Sequence, residues 1–175
     1  MNTPLRYTDE KDRAYGVAGM ALALVIWDGR SYLASLSLDN PVGDSVTFSP
    51  AFGFAGNPRL SASLAWGELL RQFEISTAML VGNVMCRAYV YRSTSLAADT
   101  ADSLRLMIRS HGHDSCSLDE DESDIVFNKT RRYLDRVFTH SGVAQIARHL
   151  ADTLAANRSL TANEVLDILA PLDNL

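Results

Sequence analysis

The chain has 175 residues, 47% of them hydrophobic and 21% charged, with a formal net charge of −5. That composition belongs to a folded chain with a sizeable core, and the negative balance argues against non-specific nucleic-acid binding. No uncharged apolar run reaches the roughly 18 residues of a membrane span, and two cysteines, Cys86 and Cys116, make no disulfide framework. A cytoplasmic location is therefore expected, with residues 1–175 as one domain and residues 1–8 as a flexible tail.

Taken in chain order, Thr8 or Asp9 can cap a helix that runs to Gly29 as its C′ residue. Residues 17–27 would also suit a buried strand, because periodicity does not decide for so uniformly apolar a run. Ser31–Leu38 alternates and reads as a strand, as does Ser45–Ser49, so a small β-hairpin or sheet is expected near residues 31–50. Asn57 as N-cap with Pro58 at the first helical position predicts a helix through Phe73. Thr77–Tyr91 is expected as a second helix. Its small residues Ala78, Gly82 and Cys86 recur every four positions and would let another helix approach closely.

Ser95 can cap a helix carrying Ala97, Ala101, Leu104 and Ile108 on one face and closed by Gly112. Residues 113–124 read as an acidic loop. Val126, Tyr133, Leu134, Val137 and Phe138 form the next apolar stripe. Val143, Ile146, Ala147, Leu150 and Leu154 form another, ending near Asn157. Thr161 with Glu164 is a capping box for a last helix that Pro171 stops. The expected class is α+β, mostly α, with the C-terminal helices packed as an antiparallel cluster.

Residues 14–22 read Ala-Tyr-Gly-Val-Ala-Gly-Met-Ala-Leu. The stretch resembles the zinc-binding helix of FtsH-type AAA+ metalloproteases, whose pattern is Ala-Tyr-His-Glu-x-Gly-His-Ala-Leu. Ala14, Tyr15, Gly19, Ala21 and Leu22 match. Gly16 and Met20 stand where that family has its two zinc-ligating histidines, and Val17 where it has the catalytic glutamate. In H-E-x-x-H the histidines lie one helical turn apart to hold one zinc, and the glutamate deprotonates the metal-bound water. Glycine has no ligand atom, a methionine thioether is a poor zinc donor, and valine takes up no proton.

The resemblance extends over about residues 12–170. Gly67-Glu68-Leu69-Leu70 and the small-residue segment Ala78–Met85 follow in the family's order. Counting back from Gly112 by the family's spacing puts its third zinc ligand, an aspartate, at Leu96, and Asp99 and Asp102 fall on the wrong turns. Leu150-Ala151-Asp152-Thr153-Leu154 and Leu160 through Val165 complete the series. The resemblance implies an FtsH-type peptidase-like helical fold without zinc, without another cofactor and without peptidase activity. A non-catalytic binding, regulatory or assembly role is expected. The six-fold rings of the family imply a capacity for homo-oligomerisation, and a protein or peptide partner is expected. No Gly-x-x-x-x-Gly-Lys loop occurs, so the family's ATPase module is not part of this sequence.

The alternative is an enzyme of another class using a new metal site. His111, His113, Cys116 and Asp119 supply imidazole, thiolate and carboxylate donors within a few residues. An acidic run on a loop is more often a solvated surface. His140 and His149 have no evident link. The loop Gly53 to Arg59 before a helix could hold an anion, although Pro58 removes one donor. The last two helices do not suit DNA binding, because the second carries Glu164 and Asp167 and no basic residue.

Overall fold

The computed structural model describes residues 6–53 and 62–174. Helix α1 (Glu10–Ile26) starts at Asp9, whose carboxylate accepts the Asp12 N–H at 2.7 Å. A helix apolar on all sides has to be enclosed on all sides, and twelve of its seventeen residues are buried, which settles the helix-or-strand ambiguity. α1 ends in a Schellman motif. Asp28 takes the left-handed conformation (φ 54°) and donates its N–H to Val25, and Gly29 donates to Leu24 at 2.8 Å. The left-handed position expected of Gly29 thus belongs to Asp28. Gly29 is confined for another reason: a Cβ there would lie 2.3 Å from Leu24 Cδ1.

Strands β1 (Leu33–Ser37), β2 (Val46–Phe48) and β3 (Ser159–Thr161) make an antiparallel sheet in the order β2-β1-β3. Leu36 lies opposite Val46 on one side and Leu160 on the other, so three buried residues form one row. A register shift between Leu33 and Ser35 lets both Leu33 and Leu36 be buried despite their odd spacing. The α+β, mostly α class is therefore observed, with the sheet near residues 31–50 gaining a third strand from the far end of the chain.

A single helix, α2 (Ala62–Met85), replaces the two expected over 57–73 and 77–91. Glu74-Ile75-Ser76 contains no breaker, and Phe73 and Ile75 are both buried. α2 runs on into a π turn, Cys86–Tyr91. The Asn57-Pro58 start and the Gly53–Arg59 loop anion candidate fall largely on residues 54–61, outside the described residues.

Helix α3 (Ala98–Cys116) begins at Ala97, with no side-chain cap from Ser95, and continues past Gly112 to a left-handed Ser117. Gly112 is a packing glycine and not a terminator: a Cβ would lie 2.5 Å from Ser123 Oγ and 3.0 Å from the Phe73 ring. The acidic loop expected over 113–124 is instead the end of α3 and the start of α4 (Glu120–Thr139). Asp119 and Glu122 form a capping box, and Glu120 and Asp121 sit in the first turn, where the helix dipole favours negative charge. The buried face of α4 is Ser123, Phe127, Thr130, Leu134 and Phe138, with the expected Val126 and Val137 at its margins and the expected Tyr133 exposed, its ring edge-to-face with Trp27. α5 (Ser141–Asn157) buries Val143, Ala147, Leu150, Ala151 and Leu154. α6 (Ala162–Leu169) opens on the expected Thr161–Glu164 capping box and ends before Pro171.

α1 is the centre, packed by α2, α5, the π turn and β1. The tightest contact is with α2. A Cβ on Gly19 would sit 2.3 Å from the Gly82 carbonyl oxygen, and one on Gly82 would sit 2.6 Å from the Gly19 carbonyl oxygen. Backbone meets backbone here, so no side-chain movement relieves an added methyl. Gly19→Ala is expected to destabilise the protein by about 2–3 kcal/mol through overpacking. Gly67→Ala in the same α2, where nothing lies within 4 Å, should stabilise by about 0.5–1 kcal/mol through helix propensity. Urea denaturation of the two variants checks both signs.

Candidate functional site

The most polar interior region lies where the start of α1 meets the π turn. Asp12, Asn83 and Arg87 are 0%, 0% and 4% exposed. Burial of a charge is tolerated when it is paired and hydrogen-bonded, and both ions are. Arg87 donates from Nε to Asp12 Oδ1 at 2.9 Å and from Nη2 to Asp12 Oδ2 at 2.7 Å. Its Nη2 also reaches the Arg6 carbonyl at 2.8 Å. Arg92 adds a bond from Nη2 to Asp12 Oδ1 at 2.9 Å, and the Thr8 N–H donates to Asp12 Oδ2 at 3.0 Å. Burial works to raise the Asp12 pKa, but the Arg87 and Thr8 hydrogen bonds and the two guanidinium charges outweigh it, so the carboxyl is held below its ordinary range.

Tyr7 closes this cluster from the N-terminal side. Asn83 Nδ2 donates to its hydroxyl at 2.8 Å, and Arg87 lies over its ring with 4.8 Å to the centroid. Burial raises the Tyr7 pKa against the Asn83 hydrogen bond and the nearby arginines. Arg6 and Tyr7, expected within a flexible tail, are thus tied to residues more than seventy positions away, and Thr8 to Asp12.

Gly16 sits directly beneath these groups. A Cβ there would lie 2.7 Å from Tyr7 Cε1 and 2.9 Å from Asn83 Nδ2. The position that resembles the first histidine site is therefore occupied by a phenol ring and an amide. Val17 is fully buried, and Met20 is half-buried against the core. Leu96 is half-buried and shares with Tyr7, Arg87 and Arg92 the wall of a cleft of about 500 Å³. Gly16 and Leu96 thus both border Tyr7, while Met20 is not on the cleft wall. None of Gly16, Val17, Met20 and Leu96 carries a group that ligates zinc or moves a proton.

The alternative metal residues are not brought together. Helical geometry sets His111 and His113 on opposite sides of α3. His113 is exposed, and His111 packs near Phe73 and hydrogen-bonds Ser115 Oγ at 3.1 Å. Cys116 is 1% exposed, its thiol directed at the Leu69 carbonyl, and burial pushes its pKa up. Asp119 is committed to capping α4. Among the described residues, no three His, Cys, Asp or Glu side chains group as a metal site. His140 is the N-cap of α5 and His149 lies exposed within it.

Comparison of the chain with protein-family models, with curated proteins and with solved structures gives no match. No helix among the described residues is long and apolar enough to cross a membrane.

The polar cluster had a sequence signal that pattern reading passed over. Arg87 is the one charged residue between Glu74 and Arg92, and a lone charge in an apolar helix needs a buried partner. Asp12→Asn removes that partner and is expected to cost about 3–5 kcal/mol. The sign of its pH dependence follows from the depressed Asp12 pKa. The carboxylate's contribution is complete above the ordinary carboxyl range and is lost as pH falls through the folded pKa. The stability gap between wild type and Asp12→Asn should therefore be constant near neutrality and narrow below about pH 4, as measured by denaturant midpoints across pH.

Proposed function

We propose that this chain is a catalytically inactive homologue of the FtsH-type zinc peptidase domain, acting as a non-catalytic binding, regulatory or assembly protein in the cytoplasm. The observation that carries this reading is the occupation of the Gly16 position by Tyr7 and Asn83. A catalytic zinc site needs three protein ligands and an open water position. Here the residues that resemble the motif form a helix, the candidate ligand positions hold nothing better than the Met20 thioether, and the space beside Gly16 is filled by Tyr7 and Asn83, which bond to each other. The order of elements, with a central small-residue helix, a small sheet and then a long helix crossing the first, supports the same descent. The partner in this reading is a protein or peptide, a second copy of the chain included.

Protein purified without chelator is expected to contain far less than about one zinc ion per chain and to leave unfolded casein intact. Stoichiometric zinc with casein cleavage would overturn the proposal. Descent is tested separately by rebuilding the site. Gly16→His and Met20→His with Leu96→Asp supply the ligands, and Tyr7→Ala opens the room that an imidazole at position 16 requires. The folded quadruple variant is expected to bind zinc more tightly than wild type by calorimetry. Affinity no greater than wild type would show that the three positions do not converge and that the resemblance is accidental.

A further inference from the structure

The cleft bounded by residues 6–8, the π turn and the start of α3 counts Arg6, Arg87 and Arg92 among its lining residues and no Asp or Glu. Asp12 lies behind Arg87 and Arg92 and neutralises one charge, which leaves two positive charges in excess. We propose that this cleft binds a phosphate-bearing small molecule. Arg92 and Arg6 hold the phosphate above the buried Arg87, and the carbon portion lies against Val84, Ala88 and Leu96.

Arg87 is fixed by Asp12, Asn83 and the Arg6 carbonyl, so it acts as a rigid charge and not as a mobile donor. Arg92 is different. It is 43% exposed and spends one nitrogen on Asp12. The remaining edge of its planar fork suits the paired oxygens of a phosphate. The Arg6 carbonyl is the group that Arg87 uses, and Arg6 is an exposed residue of the cleft lining.

Ser95 and Thr100 stand on the same wall, the Thr100 hydroxyl turned to the Asp99 carboxylate at 3.5 Å, and the first turn of α3, where Ala97 supplies no side-chain cap, faces it as well. Asp99 in that turn is folded onto the Thr100 N–H at 2.8 Å and does not line the cleft. A phosphate monoester, with its second pKa near about 6, is largely dianionic at neutral pH and matches the two excess charges. A carboxylate supplies one charge and two oxygens, and matches less well. A volume of about 500 Å³ admits a small organic phosphate.

Such a ligand gives the non-catalytic reading a chemical class, and rests on it only in treating the cleft as a binding site and not a reaction site. Its test reads ligand binding and not zinc or proteolysis, so the two fail separately. Calorimetric titrations of the full chain with phenyl phosphate, inorganic phosphate and benzoate are expected to rank in that order, phenyl phosphate binding saturably. Arg92→Gln and Arg6→Gln should each weaken phenyl phosphate by about tenfold or more, as loss of a charge-assisted contact does. Arg132→Gln on α4, remote from the cleft wall, should leave it unchanged. Because only the Arg6 backbone supports the cluster, Arg6→Gln keeps the test valid if Arg92→Gln loosens the fold. The proposal is overturned by non-saturable binding of both phosphates, by benzoate binding as tightly as phenyl phosphate, or by Arg6→Gln leaving the affinity unchanged.

Discussion

The contact between Gly19 and Gly82 sets the spacing on which the remaining packing depends. Two helices whose carbonyl oxygens lie within 2.6 Å of where a Cβ would stand are closer than ordinary side chains allow, since interaxial distances of about 8–10 Å are set by the residues at the contact. That approach lets Tyr15 stack on Tyr91 with ring centroids 4.9 Å apart, and it sets Asp12 against Arg87. A wider crossing would draw these two buried ions apart. The small residues of α1 therefore have a geometric role and an electrostatic consequence.

Outlying ion pairs then fasten the periphery to this centre. Arg158, in an unusual backbone conformation (φ 69°), reaches both Glu10 at the start of α1 and Asp39 after β1. Arg109 of α3 bonds Asp124 of α4 in a bidentate pair at 2.8 Å on each arm. Exposed pairs of this kind are screened by solvent and contribute little to stability, so they orient elements more than they stabilise them.

The helical framework was legible where local chemistry specified it. The Thr161–Glu164 box and the apolar stripe of α5 are written in short-range patterns, whereas the uniformly apolar residues 17–27 became a helix by a choice that periodicity left open. What was not legible depended on partners distant in sequence. β3 has three residues, and only Leu160 is buried among them; its identity as a strand comes from β1, more than a hundred positions away. Gly112 looked like a terminator because glycine often is one, whereas Phe73 and Ser123 decide its role. The acidic run at 119–124 looked solvated because its charges are exposed, yet the same charges suit the first turn of a helix. At the site, the loss of ligands at Gly16 and Met20 could be read directly. The Tyr7–Asn83–Arg87–Asp12 cluster could not, because it joins three segments that no spacing rule connects.

The π turn after α2 has a consequence for how charge is gathered. Residues five apart on an α-helix point roughly 140° away from each other, given 3.6 residues per turn. Arg87 and Arg92 are five apart, and the Arg92 N–H donates to the Arg87 carbonyl at 3.0 Å in the wider π pattern. The wider turn brings both side chains round to one carboxylate. Were these same residues to tighten to α geometry with none removed, Arg92 would swing to roughly 140° from Arg87 about the axis. The two guanidiniums would then part company, and the local field at the mouth of the cleft would dissolve with no arginine having been changed. The electrostatics of this region thus depends on which carbonyl one backbone N–H chooses, as well as on the charges themselves.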